Sequence, residues 1–138
     1  MNGSTIKNVQ RQYNKMYFKI EKIEPNFAYD SILKTFNEDL QDHFKNNLSL
    51  KLKDMIEKNQ EVFKGFLYEP KDSEVTKQVI GRKGHYFYKT TELCNILYIW
   101  HNIEEKKFIF WSDNRQNIIQ ALNQIKYRIE KHSNPGWN

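Results

Sequence analysis

Alternating positions near the start of the chain predict one short strand. Met16, Phe18 and Ile20 alternate with Tyr17 and Lys19, and a period of two is typical of a strand, which Pro25 would end. Residues 1–14 are mostly polar and are predicted to form a disordered lead.

Two helices are predicted after this strand. Asp30 is a favourable N-cap for the first helix, and the second is expected to begin near Ser49, with the joint at Asn46–Asn47. Residues 15–60 are thus predicted to be a strand plus a helical extension that packs on the same chain or presents an apolar stripe to a second copy. The apolar positions of the two helices recur at helical spacing: Leu33, Phe36, Leu40 and Phe44, then Leu52, Met55 and Ile56.

A second group of elements is predicted from residue 61 onwards. Val62–Tyr68 is an apolar and aromatic run that indicates a strand, closed by Pro70. Ser73 is placed to cap a short helix, and Gly81 is placed to end it. The inward positions of this helix are predicted to be Val75, Val79 and Ile80.

A second helix and a hairpin are predicted next. The helix follows Gly84 and ends at Asn95, and two strands are expected over residues 96–100 and 107–111, joined by a polar loop at 101–106. The inward positions of the helix are predicted to be Phe87, Thr90, Thr91 and Cys94.

The last element is predicted to be a long amphipathic helix. Asp113 offers an N-cap, with Gln116 three positions on as in a capping box, and the helix is expected to reach about His132. Residues 133–138 are predicted to be a tail, so that a domain spans 61–132. The buried stripe consists of Ile118, Leu122, Ile125 and Ile129.

Charge adds a weak preference for an anionic partner. The net charge is +5 and the pI is about 9.2, but 18 of the 22 cations are lysines, which often only solvate a surface. Abundant Asn, Ile and Lys is typical of AT-rich coding sequence. Arginine is scarce, so Arg82 between Gly81 and Gly84 carries more weight than any lysine.

Cysteine usage and hydropathy point to a protein of the cell interior. Cys94 is the only cysteine, so no internal disulfide can form, and a reducing compartment is expected. No apolar run is long enough to span a bilayer, and the polar N-terminus lacks the apolar centre of a secretory signal. We expect an intracellular protein without a membrane partner, in the cytoplasm rather than the nucleus.

The segment Gly81-Arg82-Lys83-Gly84 is the most distinctive motif. Two of only five glycines flank two cations, and an apolar pair, Val79-Ile80, precedes them. Glycine lets the backbone turn sharply and approach another molecule closely, and the cations supply charge for a phosphate. The motif therefore predicts a surface loop between two helices that can hold nucleic-acid phosphates.

Together with the order of elements, this motif resembles a type I KH domain over roughly the last 75 residues. The family pattern has an apolar pair, Gly-x-x-Gly with basic residues, an apolar residue three places on, two strands, and a helix with an early alanine. Phe87 and Ala121 match the last two features. The resemblance implies an α+β fold in which a three-stranded sheet packs against three helices in the order βααββα.

The resemblance also implies a mechanism of binding. The loop would press its backbone on the sugar-phosphate chain of about four nucleotides, and bases would lie in an apolar groove beside it. The strand side of that groove would come from Leu97 and Ile99 or from Ile96 and Tyr98. The predicted nucleic-acid-binding residues are Gly81, Arg82, Lys83, Gly84, His85, Val79, Ile80, Phe87, Tyr88, Leu97 and Ile99.

Several residues depart from the family pattern. Thr90 stands where a large aliphatic residue is usual, and Asn95 where a glycine often ends the helix. Trp100 and Trp111 add bulk to the two strands, which puts the shape of the groove in doubt. The aromatic segment from Tyr98 onwards also resembles KH-like proteins of large DNA viruses.

No catalytic or metal-binding constellation is visible. The four histidines are scattered, and Cys94 has no partner at zinc-ligand spacing. Gly-Arg-Lys-Gly lacks the spacing and the Lys-Ser/Thr pair of a P-loop, and no nucleophile is paired with a base. We expect neither an enzyme nor a cofactor or metal.

The sequence leaves two functions open. The first is non-enzymatic binding of single-stranded nucleic acid, RNA rather than DNA, with added affinity from a homo-oligomer or a protein partner at the N-terminal helices. The second is a degenerate KH-like interaction or structural module whose groove is filled by aromatic side chains.

Overall fold

An antiparallel sheet of four strands, with helices on both faces, forms the part of the chain that the structure describes. The computed structural model describes residues 19–35 and 42–133, with side chains in the second range from residue 45. The elements are β1 (Lys19–Ile23), α1 (Pro25–Leu33), α2 (Asp42–Glu57), β2 (Val62–Tyr68), α3 (Ser73–Ile80), a 3₁₀ turn (Arg82–Gly84), α4 (His85–Leu93), β3 (Tyr98–Asn102), β4 (Lys107–Ser112) and α5 (Arg115–Ser133).

The strand order across the sheet is β1-β2-β4-β3, with every neighbouring pair antiparallel. Phe66 of β2 lies opposite Ile109 of β4, which in turn lies opposite Trp100 of β3. Because successive strand residues point to opposite faces, this register gives the sheet two apolar faces. Each face needs its own cover of helices.

The first core lies between the sheet and α3, α4 and α5. Phe108 and Phe110 of β4 are fully buried there, and Phe87 of α4 meets Phe108 edge-to-face, with ring centroids 5.2 Å apart. The predicted stripe of α5 is buried in the same cluster, as are Val75, Val79 and Cys94. The helices on either side of the Gly-x-x-Gly segment are therefore anchored to one face of the sheet.

The second core lies on the opposite face, beneath α1 and α2. Ile32 of α1 and Leu52 of α2 are almost completely buried against Val62, Ile109 and Trp111 of the sheet. The N-terminal helices thus pack on the same chain. Their apolar stripes bury a sheet face that would otherwise meet water.

The predicted three-stranded sheet is corrected by β1. This strand pairs along its whole length with β2, so that the sheet has four strands in the described residues. A β2 edge without this partner would present unpaired backbone groups, which β1 satisfies. Of the residues used to predict the strand, Met16 and Phe18 lie outside the described residues, as do the lead at 1–14 and residues 134–138 of the tail.

The predicted boundaries of the N-terminal helices were wrong. The first helix begins at Pro25, whose missing N–H suits the first helical position, and Asp30 lies inside it. The predicted joint at Asn46–Asn47 lies within α2, where helix packing overrides the weak propensity of asparagine. Phe36 and Leu40, and the side chain of Phe44, lie outside the described residues.

Two predicted caps are each displaced by one residue. Asp72, rather than Ser73, caps α3 by accepting a hydrogen bond from the Glu74 backbone N–H at 2.9 Å. Asn114, rather than Asp113, accepts the N–H of Asn117 at 3.0 Å at the start of α5. In both places the alternative cap residues are adjacent, so the sequence does not rank them.

The elements after residue 61 otherwise follow the prediction closely. Strand β2 has the predicted bounds, and α4 ends before Asn95, as predicted. Strand β3 lies two residues later than predicted, from Tyr98 to Asn102, and its later end shortens the hairpin loop to residues 103–106.

The second core yields a test of how firmly the N-terminal helices are attached. We expect Leu52→Ala to lower the free energy of unfolding by about 2–5 kcal/mol, because it leaves a cavity beneath α2. Leu50→Ala, on the same helix but 66% exposed, should change it by less than about 0.5 kcal/mol. Urea unfolding followed by circular dichroism measures both. Equal, small effects would mean that α2 is not packed on the sheet.

Candidate nucleic-acid interface

The Gly81–Gly84 segment is a surface loop between α3 and α4, as its sequence predicts. Gly81 has φ 81° and ψ 167°, and Gly84 has φ 79° and ψ 16°, conformations that side chains disfavour. Lys83 is also left-handed, at φ 56° and ψ 27°. The Gly84 N–H donates to the Gly81 carbonyl at 3.1 Å, which closes the turn.

Tyr86, which is half-buried, packs against the backbone of the loop. A Cβ added at Gly81 would lie 2.5 Å from Tyr86 Cδ2, so the ring packs directly on the bare backbone. The Arg128 guanidinium of α5 stacks on the Tyr86 ring, with its carbon 3.5 Å from the ring centroid. Arg128 also donates to the Gln78 carbonyl of α3 at 2.9 Å, so one side chain ties α5 to both helices that flank the loop.

The polar side chains of the loop face solvent. Arg82, Lys83 and His85 are exposed, and none of them forms an ion pair with another residue in the described ranges. Gly81 and Gly84 are half-buried, so part of their backbone remains accessible. A phosphate could therefore approach the glycine backbone and meet the two cations that lie between the glycines.

The predicted apolar groove is not open in this structure. Val79 and Phe87 are buried in the first core, at 0% and 5% exposure, and Ile80 is only half-buried. Leu97 and Ile99 are likewise buried, at 3% and 5%. The backbone loop remains available to a ligand, whereas most of the predicted base-contacting side chains do not.

On the strand side of the predicted groove, neither of the two alternative pairs has both of its side chains on one face of the sheet. Ile96 and Ile99 lie in the first core, whereas Leu97 and Tyr98 lie in the second, because regular alternation begins only where β3 begins. Both alternatives assumed a strand from residue 96.

The N-terminal helices occupy the space beside β3. Tyr88 of α4 packs against the second core, together with Leu97 and Tyr98. The Thr35 hydroxyl, just after α1, lies 3.3 Å from the Tyr98 hydroxyl. Burial raises the pKa of the Tyr98 phenol, which therefore remains protonated and can take part in this hydrogen bond.

Two departures from the family pattern have structural explanations. Asn95 has φ 53°, and asparagine tolerates this left-handed conformation better than other side chains, so it ends α4 as a glycine would. Trp111 is 3% exposed within the second core, beneath α1 and α2. Its bulk therefore serves contact with the N-terminal helices. The structure offers no comparable explanation for the buried Thr90.

An open cleft of about 640 Å³ adjoins the loop on the side of α5. Its described lining contains cationic or titratable side chains from three elements but no carboxylate. The lining residues are Lys77, Gln78, Ile80, Gly81, Arg82, Tyr86, Arg128 and His132. This arrangement suits an anion with an apolar part.

His132 in this cleft is held towards its neutral form. Burial lowers the pKa of the imidazole, and the positive charges of Arg128 and Lys131 lower it further. A neutral ring nitrogen can accept a hydrogen bond, and His132 Nε2 lies 3.4 Å from a guanidinium nitrogen of Arg128. An anion placed between them would favour the protonated form instead.

The sequence prediction missed Arg128 and the cleft. Arg82 stands out in the sequence because arginine is scarce, and the same reasoning applies to Arg128, one of four arginines. Arg128 is far from the loop along the chain, so the sequence does not indicate that the two are close together. The packing of α5 against α3 brings them together.

The described ranges contain few side chains that are placed to act as a nucleophile or as metal ligands. Cys94 is buried, and burial raises its pKa, which disfavours the reactive thiolate. Within residues 19–35 and 42–133, no three His, Cys, Asp or Glu side chains come together as metal ligands would. In the same ranges, no helix combines the length and apolar character needed to cross a membrane.

Comparison with protein-family models gives no match for this chain, and comparisons with curated proteins and with solved structures give none either.

The loop geometry predicts unequal costs for its two glycines. We expect Gly81→Ala to lower the free energy of unfolding by about 1–3 kcal/mol, because the new Cβ meets Tyr86 in a conformation that favours glycine. Gly84→Ala should cost about 1–2 kcal/mol, since its Cβ meets Tyr88 at 3.3 Å.

Lys83→Gly is the matched control, because it relieves a left-handed side chain and should stabilise the fold by up to about 1 kcal/mol. Urea unfolding of the three variants tests the ranking. Two alanine variants as stable as the wild type would contradict the described loop.

Proposed function

We propose that this protein binds single-stranded nucleic acid without catalysis, chiefly through phosphates held at the Gly81–Gly84 loop. The observation that carries the proposal is the half-buried backbone of two glycines on either side of two exposed cations, Arg82 and Lys83, which form no ion pair among the described residues. Such a loop suits phosphate oxygens, to which backbone N–H groups and a planar guanidinium can both donate.

The order of elements supports assigning residues 61–132 to a type I KH arrangement. Strand β2, two helices joined by Gly-x-x-Gly, the β3–β4 hairpin and α5 follow each other in the order βααββα. On this proposal, β1, α1 and α2 are additions that extend the sheet and cover its second face.

Because the groove residues are buried, we expect the protein to contact the sugar-phosphate backbone of the nucleic acid more than its bases. Bases could stack on exposed side chains such as His85, but they would not reach Leu97 or Ile99 in this conformation. Contacts to phosphates fix a strand in place but carry no sequence information. Low base selectivity is therefore part of the proposal.

The second candidate function is a KH-like interaction or structural module. The specific observation in its favour is that this chain's own helices pack beside β3, where bases would otherwise lie. On that hypothesis the loop cations are solvated and no nucleic acid binds.

Charge reversal in the loop separates the two functions. We expect the double variant Arg82→Asp with Lys83→Asp to lose binding to labelled single-stranded RNA and DNA, because two phosphate contacts become repulsive. In wild type, these contacts should contribute about 1.4 to the slope of log affinity against log salt, at about 0.7 per phosphate of a single strand. Fluorescence anisotropy across a salt series measures both quantities.

The matched control is Lys51→Asp with Lys53→Asp on α2, which makes the same charge change at two exposed positions away from the loop. This variant should keep most of the wild-type affinity. If wild type binds no single strand at low salt, the interaction-module hypothesis replaces nucleic-acid binding.

Buried groove residues also predict little discrimination between bases. The four RNA homopolymers should bind within about fivefold of one another, the modest range typical of backbone-led binding. Competition anisotropy at fixed salt compares them directly. A preference of about a hundredfold for one base would require an open groove and would contradict the closed conformation.

A further inference from the structure

The cleft beside the loop brings together cationic side chains from three elements. Lys77 comes from α3, Arg82 from the loop, and Arg128 and His132 from α5. Ile80 and the edge of Tyr86 supply an apolar part. A cavity of about 640 Å³ lies within the range usual for small-molecule sites, so a nucleotide unit can be accommodated.

Arg128 is only partly paired within the described residues. Its Nε is buried and has no hydrogen-bond partner among the described residues. A terminal nitrogen already donates to the Gln78 carbonyl, and the guanidinium face is stacked on Tyr86. Buried guanidinium nitrogens without partners are rare, and phosphate oxygens match their fork of donors well.

Lys77 of the cleft is weakly paired with a carboxylate. Glu74 lies 3.4 Å from the Lys77 amine, but both side chains are largely exposed, at 70% and 74%. Exposed pairs of this kind contribute little, so Lys77 can exchange Glu74 for a phosphate.

The position of the cleft relative to the loop suggests a path for a strand. Gly81 and Arg82 belong to both the loop and the cleft lining, so one ligand can touch both sites without a gap. On the other side of α4, Tyr88, Leu97 and Tyr98 pack against the N-terminal helices. The cleft is thus an accessible continuation of the loop surface, whereas Leu97 and Tyr98 on the side towards β3 are buried.

We propose that the α3–α5 cleft binds a second phosphate of the same strand, so that the nucleic acid passes from the loop towards Arg128 rather than along β3. This assignment rests on the proposed nucleic-acid function. Lys77, Arg82 and Arg128 supply charge to the phosphate, and Ile80 contacts the sugar.

The test is anisotropy with a fluorescein-labelled oligouridylate over a salt series. We expect Lys77→Ala with His132→Ala to weaken binding about fivefold or more and to reduce the salt slope by about 0.7, the value for one phosphate. Lys53→Ala, which removes one exposed amine on α2, is the matched control and should leave both quantities near wild type. Lys83→Gly reports on the loop alone, since Lys83 does not line the cleft.

The outcomes are distinguishable. If Lys83→Gly weakens binding while the double variant matches Lys53→Ala, the cleft assignment is overturned and the loop function stands. If wild type binds no oligouridylate, the loop function and the strand path both fail. Because His132 contacts Arg128, Lys77→Ala alone is a second variant that removes only an exposed side chain and should show the same change in slope.

Discussion

The contact of Tyr86 with Gly81 and Arg128 is the interaction on which the candidate interface depends. The ring packs on a backbone position that has no room for a side chain, and the guanidinium stacks on that ring. Arg128 also holds the last turn of α3 through the Gln78 carbonyl. A loop fixed in this way loses little conformational entropy when a ligand binds, which favours affinity without new contacts.

The two faces of the sheet have divided roles in consequence. One face anchors the helices on either side of the loop, while the other is buried by α1 and α2. The N-terminal helices stabilise the sheet but also occupy the space beside β3, so the same packing that completes the fold closes the predicted groove. The loop side chains thus remain open to solvent, whereas most of the side chains predicted to contact bases do not.

Local sequence signals predicted the local structure well. Glycine spacing placed the loop, and the period of α5 identified its buried stripe. The signals did not predict pairing between distant segments, because nothing local to β1 specifies β2 as its partner. They also predicted a joint at Asn46–Asn47, which lies inside α2 because packing of that helix overrides the weak propensity of asparagine. Arg128 was missed for the same reason, since its function depends on a helix packed from far along the chain. The burial of Leu97 and Ile99 likewise depends on where β3 begins and on which helices cover it.

Chemical-shift mapping on isotope-labelled protein with a single-stranded oligonucleotide is the most direct measurement of whether a strand is held at the loop. The structure predicts that the largest backbone amide changes fall within Gly81–Gly84 and spread towards the end of α5, with α1 and α2 almost unchanged. Changes concentrated on the N-terminal helices, with the loop amides unmoved, would contradict the central claim that the backbone of Gly81 and Gly84, beside Arg82 and Lys83, receives the phosphates.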